Sequence, residues 1–476
     1  MSKNKTSMQR EGRRPEIQEN NIEKFFNRDY LLLYQGQFVS RLGNVIYSIA
    51  IAIWIKEITG SGTIMGLFYA STGLPLILMS AFGGAVADRF SRKKIIVGAD
   101  AIIGVAMLLL AGLLYYNAGS PSLLVGAVFG VGIMASAIRA FFGPAISAAI
   151  PDIVPTRNIS TANSMSNLSD KVSQLVGNFF GPVLFNIIGL PLTVLVNAIT
   201  YLFSAFSESF ISIPQRIPEK AKGYKEYATA FKKDLKEGLN FIRTSPGLYK
   251  LLMLSIITGF FVAPITPLII FYVTEFLKLG NQWFGYFLIA FGVGALVGAF
   301  IVGIFNIDGK ARMRSVIFFF ILEGTGYVLL PQVTHPLQAL ALFFIGGIMN
   351  GYNTVSIFTI MQVTTPTEIR GRVFGTLTTL SGAIVPLGMA LGGVLYDFFK
   401  QDITPIYTIS GSVMILTVII FSFSYNFRQF MSYQVRPQRA VKTGFTYKME
   451  VKHKDEILSQ RERHLEEQLK KTRSDI

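Results

Sequence analysis

Twelve apolar runs, each close to the length a helix needs to cross a bilayer, follow one another between residues 30 and 425, separated by short polar breaks. A hydrocarbon core takes about 20 apolar residues as a helix. Inside it every backbone N–H and C=O must be satisfied by the protein, which leaves only helices or closed β-barrels. Segments such as LLVGAVFGVGIMASAI are apolar on all sides and lack the every-second-residue pattern of a barrel strand. The chain therefore reads as an all-α membrane protein, with spans near residues 30–56, 63–87, 95–116, 121–148, 167–188, 191–213, 248–275, 283–305, 314–331, 336–361, 373–398 and 403–425. Composition agrees: hydrophobic residues make up 51% against 15% charged, and the mean hydropathy is +0.46, more apolar surface than a soluble domain can hide.

The distribution of basic residues orients these spans. If the chain starts inside and crosses at each run, 37 of its 44 Lys and Arg fall on the cytoplasmic side, and the outer loops keep Lys56, Lys278 and Lys400. That asymmetry is the positive-inside rule, and it predicts a multi-pass cell-membrane protein with both termini cytoplasmic. The net charge of +16 is thereby assigned to topology and to anionic membrane lipids, and no nucleic-acid partner is expected. Residues 1–28 are polar with no apolar core, so no cleavable signal peptide is expected.

Several kinds of chemistry are disfavoured. The sequence has no cysteine and three histidines, which excludes disulfides and thiol nucleophiles and leaves little for a metal site. The spans carry no Ser-His-Asp set, paired catalytic aspartates or HExxH, and the chain has no GxxxxGK[ST] loop. Neither an intramembrane enzyme nor an ATP-driven pump is expected. No cofactor is called for, and energy should come from an ion gradient.

The longest internal polar stretch, residues 214–247, divides six spans from six. This predicts a cytoplasmic tail over 1–28, a six-helix bundle over 29–213, a linker over 214–247, a second bundle over 248–426 and a basic tail over 427–476. AFKKDLKEGLNFI in the linker suits a helix lying on the membrane surface. In the tail, Ile457, Leu458, Leu465 and Leu469 could form a narrow apolar seam, which reads as a solvated, partly helical stretch or, alternatively, as a regulatory or dimerising helix; a monomer is expected. The halves also look alike. Gly177, Gly181 and Pro182 form GxxxGP in the fifth span, and Gly388, Gly392 and Gly393 form GxxxGG in the eleventh, 211 residues later. Pro155 and Pro366 precede them at the same offset, which argues for a duplicated half.

Between spans two and three stands GGAVADRFSRKK, residues 83–94. Small residues let helices approach, Asp88 can pair with Arg89 or Arg92, and the basic run meets headgroups, so a tight charged hinge is expected. Here the sequence resembles the major facilitator superfamily, whose signature at this place reads roughly G-x-x-x-D-R-x-G-R-K/R. Gly84, Asp88, Arg89, Arg92 and Lys93 match it, and Ser91 replaces the usual glycine. The resemblance covers about residues 28–426. It implies a secondary transporter of twelve transmembrane helices in two six-helix bundles, with the loop acting as a conformational latch. The looser counterpart in the second half is FNIDGKARMR, with Asp308, Gly309, Lys310 and Arg312.

GNFFGPVL is similar to the GxxxGP signature of the proton-antiporting, drug-exporting branches. Its bland reading is a glycine-lined helix crossing with a proline kink. GQFVSRLGN (Gly36–Asn44) and TPTEIRGRVFG (Thr365–Gly375) resemble the macrolide-efflux group, with Asn44 where many of those proteins have aspartate. The resemblance also implies that spans one, four, seven and ten surround a central cavity.

The residues themselves suggest what could line such a cavity. Tyr34, Gln37, Arg41, Asn44 and Ser48 recur at spacings of three and four, a polar stripe along the first span. Arg41 lies near mid-span, where an unpaired charge costs about 2.5 to 3.5 kcal/mol, so it requires water, a ligand or a fixed counter-ion. The tenth span groups Asn350, Tyr352, Asn353 and Thr354 after Gly346 and Gly347; the seventh carries Pro264 and Pro267 with Phe260, Phe261, Phe271 and Tyr272, a pattern for a helix that bends and presents aromatic surface. Among the acids, Glu323 lies near mid-span in the ninth helix, Asp100 is expected to pair with Arg139, Glu208 and Asp170 sit near inner ends, and Glu275 is at an outer end. No carboxylate of the four central helices stands out as a proton carrier.

Three functions follow as expectations. The first is export of amphipathic small molecules, macrolides or other drugs, by proton antiport. The second, from Arg41 without a central acid, is export or flipping of an anionic solute such as a siderophore or lysophospholipid. The third is a non-transporting sensor signalling through the C-terminal tail.

Overall fold

The first four crossings start at local capping signals. In the computed structural model, which describes residues 24–116, 120–215, 224–305 and 307–434, Asn27 caps α1 (Arg28–Thr59) by accepting from Tyr30 N at 2.9 Å, and Gly60 ends it at φ 58°. Ser61 then caps α2 (Gly62–Arg89), Ser91 caps α3 (Arg92–Tyr115), and Ser120 with Pro121 starts α4 (Pro121–Ile153). The next helical stretch, α5 (Ile159–Glu208), has 50 residues, which as one rod would run about 75 Å, far beyond a bilayer. It turns back at Gly189, whose φ of 72° is open to glycine and strained for other residues, and Pro191 and the Thr193 hydroxyl, donating to Gly189 O at 2.7 Å, restart the helix. Eleven described helical stretches are long and apolar enough to cross a membrane, and the turn at Gly189 makes α5 two passes, giving twelve.

The remaining elements are α6 (Tyr224–Thr244), α7 (Pro246–Val262), α8 (Ile265–Phe271) with a π-helical turn Tyr272–Phe276, α9 (Gln282–Phe305), α10 (Gly309–Leu329), α11 (Pro336–Thr364), α12 (Arg370–Phe398), α13 (Thr404–Ser422) and α14 (Tyr425–Met431). Helices α1–α5 pack as one six-helix bundle and α7–α13 as the other. The two bundles meet chiefly where α2 lies on α12 and α5 lies on α9.

The glycine motifs make these contacts, and they do so in duplicate. A Cβ on Gly177 or Gly181 would fall 2.6 Å from Val45 or 2.7 Å from Ile49, so the fifth pass presses onto α1; Pro182 next to it packs on Gly285 of α9. In the second half, a Cβ on Gly388 would fall 2.3 Å from Phe260 O and one on Gly392 2.5 Å from Pro264, while Gly393 abuts Gly62 and Gly66 of α2. Each motif thus holds the first helix of its own half with two glycines and the second helix of the other half with the next residue. Small residues allow such backbone approach where lipid supplies no hydrophobic drive.

Polar contacts between the bundles gather at the end of the molecule opposite the Arg92 loop. Ser61 Oγ donates to Asp397 at 2.6 Å and the Gly62 and Thr63 amides donate to the same carboxylate at 2.9 Å; Lys56 pairs with Glu275; Asn281 donates to Glu57 at 2.9 Å; and Gln401 donates to Gly60 O at 3.2 Å. Below this seal, α2 and α12 remain in contact through Gly73 against Pro386 and as far as Ile77 against Gly382.

Three local features differ from the sequence reading. The seventh span is broken as its prolines predict, but Phe271 and Tyr272 are core residues: Phe271 packs on Tyr396 with ring centroids 4.6 Å apart, and Tyr272 stacks on Tyr407 and donates to Leu330 O at 3.0 Å. The linker helix α6 docks on the start of α12, where Arg372 binds Asp234 at 2.9 Å and Glu237 at 2.5 Å. Folded chain continues past residue 427, since Phe427 and Met431 are buried and Arg312 donates to the carbonyls of Met431 and Tyr433. The tail over 1–23 and the seam at Ile457, Leu458, Leu465 and Leu469 lie outside the described residues.

Candidate functional site: a polar cluster among α1, α3, α4 and α5

Once the glycine contacts fix how α1 is rotated, its polar stripe fans out to three neighbours. Arg41 pairs with Asp170 of α5 at 2.9 Å and donates to Ser166 O at 3.2 Å. Gln37 turns the other way, is 4% exposed, and donates to Glu208 Oε1 at 2.6 Å. Asn44 accepts from the Arg139 guanidinium of α4, which also donates to the Tyr201 hydroxyl. Tyr34 stacks on Tyr30 and lines a crevice with Gln37, Arg41, Ile150 and Ser166. Ser48 is exposed, its hydroxyl bonded to Val45 O at 2.8 Å. The stripe is therefore real as a pattern, but Gln37 faces into the bundle and cannot bind substrate directly in this arrangement.

The direct Asp100–Arg139 pair expected from the sequence is not formed. Arg139 is held by Asn44 and Tyr201 instead, and Asp100, 1% exposed, lies beside Ser204. Ser204 also neighbours Glu208, which is 0% exposed, so two carboxyl groups share one serine. Sequence reasoning singled out Asp100 but placed Glu208 only at a helix end; the spacing Ser204 to Glu208, one turn apart in YLFSAFSE, is the signal that marks both as facing the same neighbour.

In the second bundle, Glu323 is buried and accepts from Tyr327 at 3.2 Å and from Asn350 at 3.2 Å. Asn353, 2% exposed, lies on the same side. Of the polar group of the tenth span, Asn350 and Asn353 thus serve Glu323, Tyr352 bonds the Ser315 hydroxyl at 2.6 Å, and Thr354 is exposed. Phe261 is half-buried in an edge-to-face contact with Phe260, centroids 5.3 Å apart.

The hinge between α2 and α3 is tied down within its own bundle. Arg92 binds Asp152 and Ala148 O at the end of α4 and reaches Asp88 at 3.8 Å; Gln215 accepts from Arg92 N at 2.8 Å and donates to Ala87 O at 3.2 Å. The Asp88 side chain is 60% exposed, Arg89 is half-buried, and Lys93 lines an open cleft with Asp29 and Asp152. Gly84 faces open space, whereas a Cβ on Gly83 would fall 2.4 Å from Ala140 O, so the glycine that permits close approach of α2 and α4 is Gly83.

Comparison with known proteins bears on this geometry. The family described as transmembrane secretion effector matches residues 24–456. Macrolide efflux protein A of Streptococcus pyogenes is 25% identical over 405 residues, covering 84% of this chain and 97% of that protein. Multidrug efflux pump Tap of Mycolicibacterium fortuitum is 24% identical over 379 residues, covering 77% of this chain and 89% of that one. Among solved structures, a bacterial homologue of the iron transporter ferroportin in its inward-facing state aligns with a TM-score of 0.66 at 16% identity, covering 85% of this chain and 99% of that chain. A D-xylose-proton symporter aligns at 0.60 and 14% identity, covering 83% and 97%. With twelve passes in two bundles, a duplicated glycine motif and a match along nearly all the described chain, the protein belongs to the major facilitator superfamily of membrane transporters, in its transmembrane secretion effector family.

Proposed function

We propose that the protein exports amphipathic small molecules, with macrolides as the first substrate class to test, across the cell membrane by alternating access and proton antiport. The observation that carries this reading is the similarity to Macrolide efflux protein A over nearly that protein's whole length. Geometry supports it. With the basic loops cytoplasmic, the contacts around Asp397 and Lys56 seal the outer face, which is the state in which an exporter loads its cargo from within. Cargo would enter between the bundles beneath the seal, and opening would require the Asp397 and Glu275 contacts to part.

The anionic-solute alternative relied on Arg41 as an uncompensated charge. Asp170 at 2.9 Å matches that charge, so the reading loses its basis. The sensor reading concerned the C-terminal tail, which lies outside the described residues beyond 434, and the family favours transport.

The test is uptake of radiolabelled erythromycin into everted membrane vesicles. Accumulation that an uncoupler abolishes supports the proposal. Accumulation that persists after collapse of the proton gradient refutes the antiport, and no erythromycin or cationic-dye flux against empty-vector vesicles refutes drug export.

A further inference from the structure

Buried acids in a membrane bundle need a reason, because an ionised carboxylate away from water is costly unless it is paired. Asp100 on α3 and Glu208 on α5 are both fully buried, and among the described residues neither forms an ion pair. The cations nearest to them are otherwise engaged: Arg41 of α1 with Asp170 of α5, Arg139 of α4 with Asn44 and Tyr201. The other titratable group facing the cluster is the Tyr201 hydroxyl of α5, on the Asp100 side, with the Tyr47 hydroxyl of α1 beyond it.

The hydrogen-bond inventory of the cluster is short of donors. Asp100 Oδ2, Glu208 Oε2 and Gln37 Oε1 are all buried without a hydrogen-bond partner among the described residues, and the Ser204 hydroxyl beside both acids has a single hydrogen to give. All three of those atoms accept only, so the arrangement has more lone pairs than hydrogens. Adding a hydrogen to a carboxyl oxygen converts an acceptor into a donor, and Ser204 stands between the two acids to relay it. The cluster borders a small crevice. Gln37 bonds Glu208 and lines that crevice with Tyr34 and Arg41, so the amide lies between the acids and the crevice.

From this placement we infer that Asp100 and Glu208, with Ser204 beside both, are the proton-binding site of the transporter, the proton arriving and leaving on the side of the α1 crevice, where Gln37 holds Glu208 in place. The inference rests on the antiport reading for its role and on the buried cluster for its location. One O–H bond forms when a proton joins a carboxylate oxygen of the pair, and the same bond breaks when that proton leaves. The site lies in the third and sixth passes, beside the helices that meet the other bundle, so Gln37 and Arg41 of α1 are the elements that would couple its charge to movement of the halves.

Two measurements on the full-length protein test it. Infrared difference spectra of purified protein stepped from neutral to alkaline pH, a range in which exposed carboxyl groups stay ionised, should show a carboxylic-acid carbonyl band that titrates in wild type, is unaltered in Glu368→Gln on the exposed surface, and disappears in part in Asp100→Asn/Glu208→Gln, the remainder going with Glu323→Gln. Proteoliposomes given erythromycin as probe should show a gain in uptake on imposing a proton gradient, and that gain should be lost in the double variant. A band of full intensity in the double variant overturns the site, as does a double variant that keeps the gradient-driven gain. Wild-type uptake that ignores the gradient refutes the antiport reading alone, and the infrared band then decides the site by itself. Where the double variant does not fold, Glu208→Gln carries the same two readouts.

Discussion

Asp397, in the last turn of α12, accepts a hydrogen bond from Ser61 Oγ at 2.6 Å, placing its carboxylate on the first turn of α2 in the other bundle. The amides of Gly62 and Thr63 complete the cap. A carboxylate at a helix N-terminus gains from both the free N–H groups and the helix dipole. Because it joins the two bundles, it stabilises one conformation of the transporter more than the other.

Asp397→Ala should therefore shift the conformational balance away from the sealed state. Loss of a cap costs about 1 kcal/mol, and 1.4 kcal/mol is a factor of about ten in a two-state ratio, so a change of about fivefold is expected. The chain has no cysteine, so single cysteines placed along α2 in this background report directly. Their labelling by a membrane-impermeant maleimide on intact cells should rise in the variant; unchanged labelling would show that the cap does not hold the seal.

Adjacent glycines in α11 should respond differently to a single methyl group. A Cβ on Gly347 would fall 2.1 Å from Phe291 O of α9, whereas one on Gly346 meets nothing within 4 Å. Overpacking typically costs about 1 to 3 kcal/mol. Gly347→Ala should lower the thermal unfolding temperature in detergent and Gly346→Ala should leave it alone. Equal shifts would contradict the α9–α11 contact.

Arg41 and Asp170 should behave as a unit. Arg41→Gln or Asp170→Asn alone leaves one charge without its partner at membrane depth, and each should destabilise the protein, Arg41 being the more buried of the two. The double variant removes both charges and should recover much of the loss. A double-mutant cycle read from unfolding temperatures measures the coupling, and additive losses would mean that the two side chains act independently.

Asn44→Asp should be tolerated. Arg139 already donates to Asn44 Oδ1, so a carboxylate there keeps the acceptor and adds an opposite charge. Asn44→Leu removes the acceptor, leaving Arg139 to Tyr201 alone, and should lower both stability and vesicle transport. Loss of folding in Asn44→Asp and not in Asn44→Leu would reverse the assignment.

The sequence by itself determined the number of crossings, their orientation rule, the charged hinge before α3 and the duplicated glycine motif. Each of these is written along one dimension: the length of an apolar run, the side on which lysines and arginines accumulate, a repeat at a fixed offset. What it left open is how each helix is rotated about its own axis. Tyr34, Gln37, Arg41, Asn44 and Ser48 form a stripe in sequence, yet the approach of Gly177 and Gly181 to Val45 and Ile49 turns α1 so that Gln37 meets Glu208, Arg41 meets Asp170 and Asn44 meets Arg139. A helix apolar on most of its circumference carries no preferred face, and the rotation is decided by which backbones can touch, a property of pairs of helices far apart in the chain. For the same reason Gly83 and not Gly84 packs on α4, and Asn350 and Asn353 turn to Glu323.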